Sequence, residues 1–461
     1  MNTIPPPMAG DRRAPGPRKL TLLPLVTAAY FMVAGGPYGL EEVIGRNGYA
    51  TALWILVLTP LLWSLPTALM VSELASALPR EGGFYVWVRR GLGPFWGFQE
   101  SWLTFAGSVF EMALYPTLVV EYLSRIAPSL VAGHRGLALE LAMIAGCAAW
   151  NIAGARAVGE GSIGLNVLLF APFVVLVALA LGKPVAPAPT DPAVRLDLLG
   201  GIVIAMWNYM GWDNLSTIAG EVEHPQRTYP RAMLIAIILV VVSYLAPVAA
   251  MAYAQLDLGI WQTGGWADAG QALGGPSLAT ALAAAGIVGA VGTFAALMLS
   301  FTRLPAVMAD DGFLPRIFAR LHPRTGAPWV AIVACAAAWA ACLPLGFVQL
   351  LILDVFLTGL SILLEFWALV ALRIREPGLA RPYRVPGGLF GAIAIGIPPL
   401  ALVAVSLLRN ASENVGAVTE LEIGAGLMAL GVALYFISPG SRRPAPGSPA
   451  AMPPATPPAT P

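Results

Sequence analysis

Charged residues are scarce in this sequence, and their scarcity excludes an ordinary soluble protein. Of its 461 residues, 11% are Asp, Glu, Lys or Arg and 57% are hydrophobic. Soluble domains carry about 25% charged residues. The sequence therefore predicts a membrane protein. Its net charge of +1 says nothing about partners, because the distribution of the charges matters instead, and we expect no binding to nucleic acid.

Histidine and cysteine are also rare, which argues against a membrane enzyme. The three histidines, His134, His224 and His322, fall in loops and show no nucleophile–base or metal-ligand spacing. The cysteines fall inside apolar segments, again without metal-ligand spacing: Cys147, Cys335 and Cys342. There is no Walker-type phosphate loop, so ATP is not the expected energy source. We expect no enzyme activity, no metal and no cofactor.

Long apolar segments dominate what is present. A membrane-spanning helix needs about 20 apolar residues. By that measure the sequence predicts an all-α membrane protein with twelve transmembrane helices, at residues 20–46, 49–73, 94–126, 136–153, 159–183, 198–220, 229–253, 277–304, 328–346, 348–373, 388–408 and 421–438.

The basic residues are distributed unevenly between the two sides of these segments. If the N-terminus is cytoplasmic, 20 of the 26 Lys and Arg residues lie on the cytoplasmic side. We therefore expect a multi-pass protein of the plasma membrane with both termini in the cytoplasm. The N-terminal residues 1–19 and the Pro/Ala-rich tail 439–461 are expected to be disordered.

Two of the apolar segments contain helix-breaking sequences. Residues 35–39 (GGPYG) interrupt the first segment and residues 208–211 (NYMG) interrupt the sixth. Proline lacks an N–H and glycine leaves the backbone unrestrained, so neither run favours a continuous helix. An opened turn within lipid must face protein, a water-filled cavity or a ligand. Breaks at matching places in two five-helix halves are typical of the substrate site of a transporter.

Acidic residues lie near these breaks. Glu111 falls near the middle of the third segment, with Tyr115 one turn later on the same face. Asp213 follows the second break, and Glu41 and Glu42 follow the first. Charges within a bilayer are costly and usually mark a pathway or a paired structural site. Several carboxylates around one cavity, with no Lys or Arg at that depth, indicate a cation site.

Each of these acidic residues has a structural alternative. Glu111 can be a buried carboxyl bonded to a neighbouring helix, and Asp213 can cap the second half of the sixth helix. Glu41 and Glu42 can be solvated near the outer end of their helix.

Three charged residues near the predicted cytoplasmic side have simpler interpretations. Glu365 precedes Arg373 by eight residues, and we expect a structural pairing between them, with substrate contact of Glu365 as the alternative. Glu73 ends the second segment and is interpreted as a gate or loop anchor.

Motifs at the helix ends carry a resemblance to a known family. They are residues 72–85 (SELASALPREGGFY), 219–225 (AGEVEHP), 303–315 (RLPAVMADDGFLP) and 381–387 (RPYRVPG). In order and spacing they resemble the amino acid–polyamine–organocation permease superfamily over about residues 20–437. Three further stretches are most similar to its polyamine uptake permeases: residues 35–41 (GGPYGLE), 94–100 (PFWGFQE) leading to 113–116 (ALYP), and 207–213 (WNYMGWD).

The resemblance implies a fold and a mechanism. Helices 1–5 (about residues 20–183) and 6–10 (about 198–373) would form an inverted repeat of the leucine-transporter type, with helices 1 and 6 broken. Helices 11 and 12 (about 388–438) would be peripheral and complete a transporter domain spanning 20–438. Substrate would bind between helices 1, 3, 6, 8 and 10, coupled to a proton gradient. Relatives place an aromatic gate at the position of Trp207.

Two departures from the amino acid permeases bear on the substrate. Their Gly-Ser-Gly-like break, whose amides hold the substrate carboxylate, is Gly-Gly-Pro-Tyr-Gly here, and Pro37 has no N–H. The helix-5 lysine that replaces a sodium ion in some relatives is Leu169. We therefore expect a small cationic substrate, with Glu111 or Asp213 as candidate carriers of the coupling proton. The expected substrate-binding residues are Gly35, Gly36, Tyr38, Gly39, Glu42, Glu111, Tyr115, Trp207, Asn208, Tyr209, Trp212 and Asp213.

The sequence leaves several functions open. Proton-coupled import of polyamines such as putrescine or spermidine is favoured, and a proton-coupled permease or exchanger for cationic or neutral amino acids is the alternative. A passive channel or a transport-inactive sensor would be a different class. Two breaks flanked by bulky aromatics suit alternating access better than a continuous pore. A monomer is expected, with a dimer as the alternative, surrounded by membrane lipid.

Overall fold

The chain is almost entirely helical in the computed structural model, which describes residues 19–183, 196–343, 347–410, 414–415 and 418–442. Its helices are α1 (Leu22–Val33), α2 (Glu41–Thr59), α3 (Leu65–Ala77), α4 (Gly83–Leu92), α5 (Pro94–Ile126), α6 (Pro128–Val131), α7 (His134–Ile152), α8 (Ala155–Leu181), α9 (Leu198–Asn208), α10 (Pro225–Ala254), α11 (Gly265–Phe301), α12 (Arg303–Asp310), α13 (Trp329–Ala341), α14 (Phe347–Arg375), α15 (Gly388–Ala394), α16 (Ile397–Asn410) and α17 (Glu420–Ile437). A π-helical turn at Pro60–Ser64 joins α2 to α3. The strands β1 (Asn414–Val415) and β2 (Val418–Thr419) form a small antiparallel pair. The predicted disordered ends lie outside the described residues, apart from Lys19 and the 3₁₀ turn Pro439–Arg442.

Every predicted apolar segment overlaps at least one of these helices. By length and composition, seven stretches within the described residues could each cross a membrane: Glu41–Ala77, Pro94–Ile126, Ala155–Leu181, Pro225–Ala254, Gly265–Asp310, Leu353–Arg375 and Gly388–Leu407. Four shorter helices are also apolar: Leu22–Val33, Leu198–Asn208, Trp329–Ala341 and Glu422–Ile437. These stretches indicate a multi-pass, all-α membrane protein.

The first predicted break is present in the structure. Helix α1 ends at Val33, and helical geometry resumes at Glu41. Within this interval Gly36 (φ 91°) and Gly39 (φ 94°) adopt left-handed conformations that side-chain-bearing residues rarely take. Further along, Gly48 (φ 70°, ψ 167°) is non-helical and divides α2, so the half-helix after the break is short.

The second predicted break is also present, at residues 209–213. Helix α9 ends at Asn208, and a 3₁₀ helix at Asn214–Glu221 follows the opened segment. Gly211 supplies the left-handed residue of this turn (φ 93°). Asp213 occupies the position that precedes the 3₁₀ helix, but its side chain forms no capping hydrogen bond.

Aromatic side chains satisfy backbone carbonyls that the two breaks expose. Trp266 Nε1 donates to the carbonyl of Pro37 at 2.8 Å, and the Tyr244 hydroxyl donates to the carbonyl of Asn208 at 2.8 Å. Both donors are fully buried. Since an unsatisfied carbonyl costs several kcal/mol in hydrocarbon, these bonds hold the opened turns in place.

Glycines allow the backbones around the breaks to pack directly against each other. A Cβ added to Gly289 on α11 would lie 2.2 Å from the carbonyl oxygen of Gly35. A Cβ added to Gly211 would lie 2.2 Å from the carbonyl oxygen of Met32. The first break is therefore in contact with α11, and the second break is in contact with the last turn of α1.

A buried ion-pair cluster ties α3 to the end of α14. Arg373 forms a bidentate pair with Glu73 through Nε (2.9 Å) and Nη2. Arg381 Nε lies 3.2 Å from the same carboxylate, and the backbone N–H of Val385 donates to it at 2.7 Å. Glu73 thus anchors the loop that follows α14.

The predicted pairing of Glu365 with Arg373 is wrong. Eight residues along a helix separate two positions by about 12 Å, which is too far for the pair, and the guanidinium of Arg373 is held by Glu73 instead. Neither carboxylate oxygen of Glu365 has a hydrogen-bond partner among the described residues.

Replacing Gly289 with alanine tests the contact between the first break and α11. Because the atom in the way is backbone, we expect Gly289→Ala to lower the stability by about 1–3 kcal/mol, as overpacking does. Thermal unfolding of purified protein in detergent measures this. Gly146→Ala on α7, where an added Cβ meets nothing within 4 Å, is the matched control and should unfold near the wild-type temperature. A wild-type unfolding temperature for Gly289→Ala would contradict the packing.

Replacing Glu73 with glutamine tests the ion-pair cluster. The change leaves two buried arginines without their counter-charge, and we expect a loss of about 3–5 kcal/mol. The control is Glu376→Gln at the more exposed Arg90–Glu376 pair, whose side chains are 39% and 31% exposed. The hydrogen bond from Arg90 lowers the pKa of Glu376, but exposed pairs contribute only about 0.2–1 kcal/mol. Equal losses of stability in Glu73→Gln and Glu376→Gln would show that the buried cluster stabilises the protein no more than an exposed ion pair does.

Candidate functional site

A small enclosed cavity lies where the two breaks meet α5 and α11. Its volume is about 30 Å³, enough for roughly two water molecules at about 10–15 Å³ each. Its lining comes from all four elements: Val33, Gly35, Tyr38, Glu111, Tyr115, Leu118, Tyr122, Trp207, Asn208, Met210, Gly286, Ala290 and Thr293. A ligand larger than water requires these elements to separate.

One wall of the cavity combines a carboxylate with two aromatic rings. Glu111 accepts a hydrogen bond from the Tyr115 hydroxyl at 3.1 Å, one turn along α5. The Tyr115 ring stacks on Trp207, with ring centroids 6.5 Å apart and planes inclined by 22°. A negative charge beside aromatic faces is the arrangement that attracts an organic cation.

The opposite wall of the cavity contains a hydroxyl group with no hydrogen-bond partner among the described residues. Thr293 on α11 is buried, and its Oγ1 has no hydrogen-bond partner among the described residues. It lies 3.0 Å from the position that a Cβ on Gly35 would occupy. Asn208, across the cavity, donates its amide to the Ile204 carbonyl at 2.9 Å. The free hydroxyl is therefore the polar group best placed to bond a ligand from this side.

A second carboxylate lies beside the first break. Glu41 is 1% exposed and accepts hydrogen bonds from the backbone N–H of Gly39 at 2.6 Å and from the Tyr122 hydroxyl at 3.0 Å. Its neighbour Glu42 instead pairs with Arg46 at 2.5 Å, with 30% of its side chain exposed. The carboxylate that reaches the break is thus Glu41, and not Glu42 as expected from the sequence.

The structure brings half of the sequence-predicted site residues into the cavity wall. Those that line it are Gly35, Tyr38, Glu111, Tyr115, Trp207 and Asn208. Those that do not are Gly36, Gly39, Glu42, Tyr209, Trp212 and Asp213. Gly39 nevertheless packs on the wall, because a Cβ there would lie 2.9 Å from Trp207 Cζ3.

Asp213, Tyr209 and Trp212 lie behind the wall. The Tyr209 hydroxyl donates to the Leu56 carbonyl at 3.0 Å, and the indole of Trp212 is buried without a bond for its Nε1 among the described residues. Asp213 is also buried, and its Oδ1 has no partner among the described residues.

Sequence reasoning missed several residues of the site. Tyr122 and Leu118 continue the face of α5 that carries Glu111 and Tyr115, at spacings of four, three and four residues. That helical period was the signal that could have identified them. Thr293 is a single hydroxyl in a long apolar segment and gave no such signal.

The first break also contacts α8 at Leu169. A Cβ on Gly36 would lie 2.9 Å from Leu169 Cδ1. Leu169, which stands where some relatives are expected to have the helix-5 lysine, therefore faces the first break. Its side chain is neutral.

Comparison with known proteins identifies the family. The sequence model described as "Amino acid permease" matches residues 26–415. Polyamine transporter PUT1 of Oryza sativa subsp. japonica is 36% identical over 425 residues, covering 89% of this chain and 78% of the relative. Polyamine transporter RMV1 of Arabidopsis thaliana is 34% identical over 418 residues, covering 89% and 84%.

More distant relatives include a bacterial exchanger. Serine/threonine exchanger SteT of Bacillus subtilis (strain 168) is 25% identical over 369 residues, covering 74% of this chain and 79% of the relative. The family match spans most of the described helices. The chain therefore belongs to the amino acid permease family of the amino acid–polyamine–organocation superfamily, and it is a transporter rather than an enzyme.

Proposed function

We propose that the protein is a secondary active transporter that imports polyamines such as putrescine or spermidine together with protons. The observation that carries this proposal is the wall formed by Glu111, Tyr115 and Trp207, in a cavity whose lining residues include no Lys or Arg. A substrate ammonium gains both a charge-assisted hydrogen bond and cation–π attraction at such a wall. The two plant relatives compared above are named polyamine transporters.

The first break is poorly equipped to hold a substrate carboxylate. Pro37 has no N–H, and the N–H of Gly39 is already donated to Glu41. An amino acid would bring its carboxylate close to Glu41 and Glu111, and like charges in a low-dielectric site repel strongly. A substrate with cationic ends and no carboxylate avoids both problems.

The architecture we propose for this function is the twelve-helix inverted repeat. One repeat would comprise residues 20–183 and the other 198–373, with residues 388–438 peripheral and both termini in the cytoplasm of a plasma-membrane protein. Support comes from the two breaks, which interrupt the first helix of each proposed repeat and meet at one cavity. Helix termini and opened backbone at mid-membrane are the usual sites of substrate and ion binding in such transporters.

Alternating access is the transport mechanism we propose, and the size of the cavity supports it. A space of about 30 Å³ is too small for a diamine, so α5, α11 and the breaks would move apart on one side and then on the other. Trp207, which stacks on Tyr115 and packs against Gly39, is the proposed gate. Glu111 and Asp213 are the proposed carriers of the coupling proton, because Leu169 supplies no cation at the first break.

A proton-coupled permease or exchanger for cationic or neutral amino acids is the second candidate. The similarity to SteT and the amino acid permease family model favour it. The occupied N–H of Gly39 is the feature that argues against it.

Replacing Glu111 with glutamine tests the substrate site. The change keeps the shape of the side chain but removes its charge, and a charge-assisted hydrogen bond contributes about 1.5–3 kcal/mol. We expect uptake of radiolabelled putrescine by Glu111→Gln to fall at least about tenfold. Wild-type uptake should saturate with substrate and collapse when an uncoupler removes the proton gradient.

The matched control is Glu121→Gln, ten residues along α5, where the side chain is 48% exposed. It should transport like the wild type. Wild-type uptake by a membrane-inserted Glu111→Gln variant would exclude Glu111 from the site. Saturable uptake that survives the uncoupler would exclude proton coupling.

A further inference from the structure

Polar side chains continue from the cavity along one face of α5. Glu100, Thr104, Gly107 and Glu111 are spaced by four, three and four residues, which places them on a single stripe of the helix. Glu100 is fully buried and accepts hydrogen bonds from Thr104 Oγ1 at 3.0 Å and Ser101 Oγ at 3.3 Å. The stripe spans eleven residues, or about 16 Å along the axis.

Helix α14 carries a second stripe with the same spacing. Its members are Asp354, Thr358, Ser361 and Glu365. The Thr358 hydroxyl donates to Asp354 Oδ1 at 3.0 Å. Asp354, Ser361 and Glu365 are all buried, so this face of α14 points into the protein.

The two stripes face each other in antiparallel order. A Cβ on Gly107 would lie 3.1 Å from Thr358 Oγ1 and 3.4 Å from Asp354 Oδ1. Nearer the other end, a Cβ on Gly91, just before α5, would lie 3.3 Å from the Ala368 side chain. Asp354 therefore lies towards Glu111, and Glu365 lies towards the Glu100 end of the α5 stripe.

Glu365 is the unpartnered group of this interface. It is completely buried, and neither of its oxygens has a hydrogen-bond partner among the described residues. The antiparallel order of the two stripes places Glu100 as the nearest carboxyl of the α5 stripe. The next charged residue on α14, Arg373, is held by Glu73 of α3. A buried carboxyl with no hydrogen-bond partner among the described residues needs a cation or a proton to neutralise it.

The stripes lead towards the surface through α4. Helix α4 packs against both α5 and α14, and the hydroxyl of its Tyr85 donates to Asp311 Oδ2 at 2.5 Å. The Asp311 side chain is 23% exposed and pairs with Arg89. This end of the bundle is the side that the distribution of basic residues predicts to be cytoplasmic.

We propose that this file of carboxyls between α5 and α14 conducts the coupling proton from Glu111 in the cavity to the cytoplasmic side, along a route that leaves the substrate site at Glu111. The inference rests on the proposed proton-coupled transport. Glu111 takes up a proton at the cavity and passes it to Asp354. The hydroxyls of the stripes relay it to Glu365 and Glu100, and it leaves through Tyr85 and Asp311. Each group returns to its starting state, so one proton enters and one leaves.

Replacing Glu365 with glutamine separates this role from substrate binding. In proteoliposomes, putrescine uptake driven by a pH gradient should fall by about a hundredfold, the size of effect expected for a positioned proton-transfer group. Putrescine–putrescine exchange without a gradient, and putrescine binding, should stay at wild-type levels because Glu365 does not line the cavity. Glu365→Asp, which keeps the carboxyl, should recover part of the gradient-driven uptake.

A hydroxyl variant supplies a second test that does not alter a carboxyl. Ser361→Ala should reduce gradient-driven uptake while leaving exchange intact. Its matched control is Ser162→Ala on α8, another buried serine that bonds only to its own helix, and this variant should behave like the wild type. If Glu365→Gln does not reach the membrane, Ser361→Ala decides the question.

Three results would overturn the proposal. Gradient-driven uptake by both Glu365→Gln and Ser361→Ala at the wild-type rate would show that no proton passes this way. Loss of exchange and of putrescine binding in Glu365→Gln would place Glu365 on the substrate path. Wild-type uptake of putrescine that ignores the pH gradient would instead refute proton coupling itself, and the proton file with it, while leaving the polyamine substrate in place.

Discussion

The structure depends on one constraint, which is that backbone opened within a membrane must find hydrogen-bond partners in the protein. Both breaks meet this requirement with buried aromatic donors, Trp266 for Pro37 and Tyr244 for Asn208. Some of the aromatic residues around the breaks therefore act as hydrogen-bond donors to the opened backbone. The cavity is the space that remains between the breaks and the two long helices α5 and α11.

The placement of charge follows from the same scarcity of water. Carboxylates are concentrated at the cavity and along the α5–α14 interface, whereas the arginines with described contacts lie towards the helix ends. Arg373 is fixed by Glu73, and Arg89 by Asp311. This separation leaves buried carboxyls inside the bundle that a proton or a small cation can neutralise. The paired arginines therefore stabilise the end of the helix bundle and are not part of the binding site.

Local sequence signals predicted the breaks and one wall of the site. Glycine and proline runs cannot continue a helix, and the four-residue spacing of Glu111 and Tyr115 places both on one face. The choice between Glu41 and Glu42 could not be made in advance, because it depends on how Gly39 turns the chain into the next half-helix. The pairing of Arg373 with Glu73 joins residues 300 positions apart, and no local pattern reports such a contact. The sequence does not show that the polar stripes of α5 and α14 face each other. That arrangement is known only from the structure, where Gly107 packs against Thr358 and Asp354.

The proposed site requires a substrate whose ends are cationic and that carries no carboxylate. Competition binding on purified protein tests this most directly, with spermidine, putrescine, arginine, leucine and glutamate as competitors of a labelled polyamine. If the site binds polyamines, spermidine and putrescine will compete best and glutamate will not compete. Binding of leucine or arginine with no binding of either polyamine would contradict this requirement, and would leave the buried carboxylates to protons and structure alone.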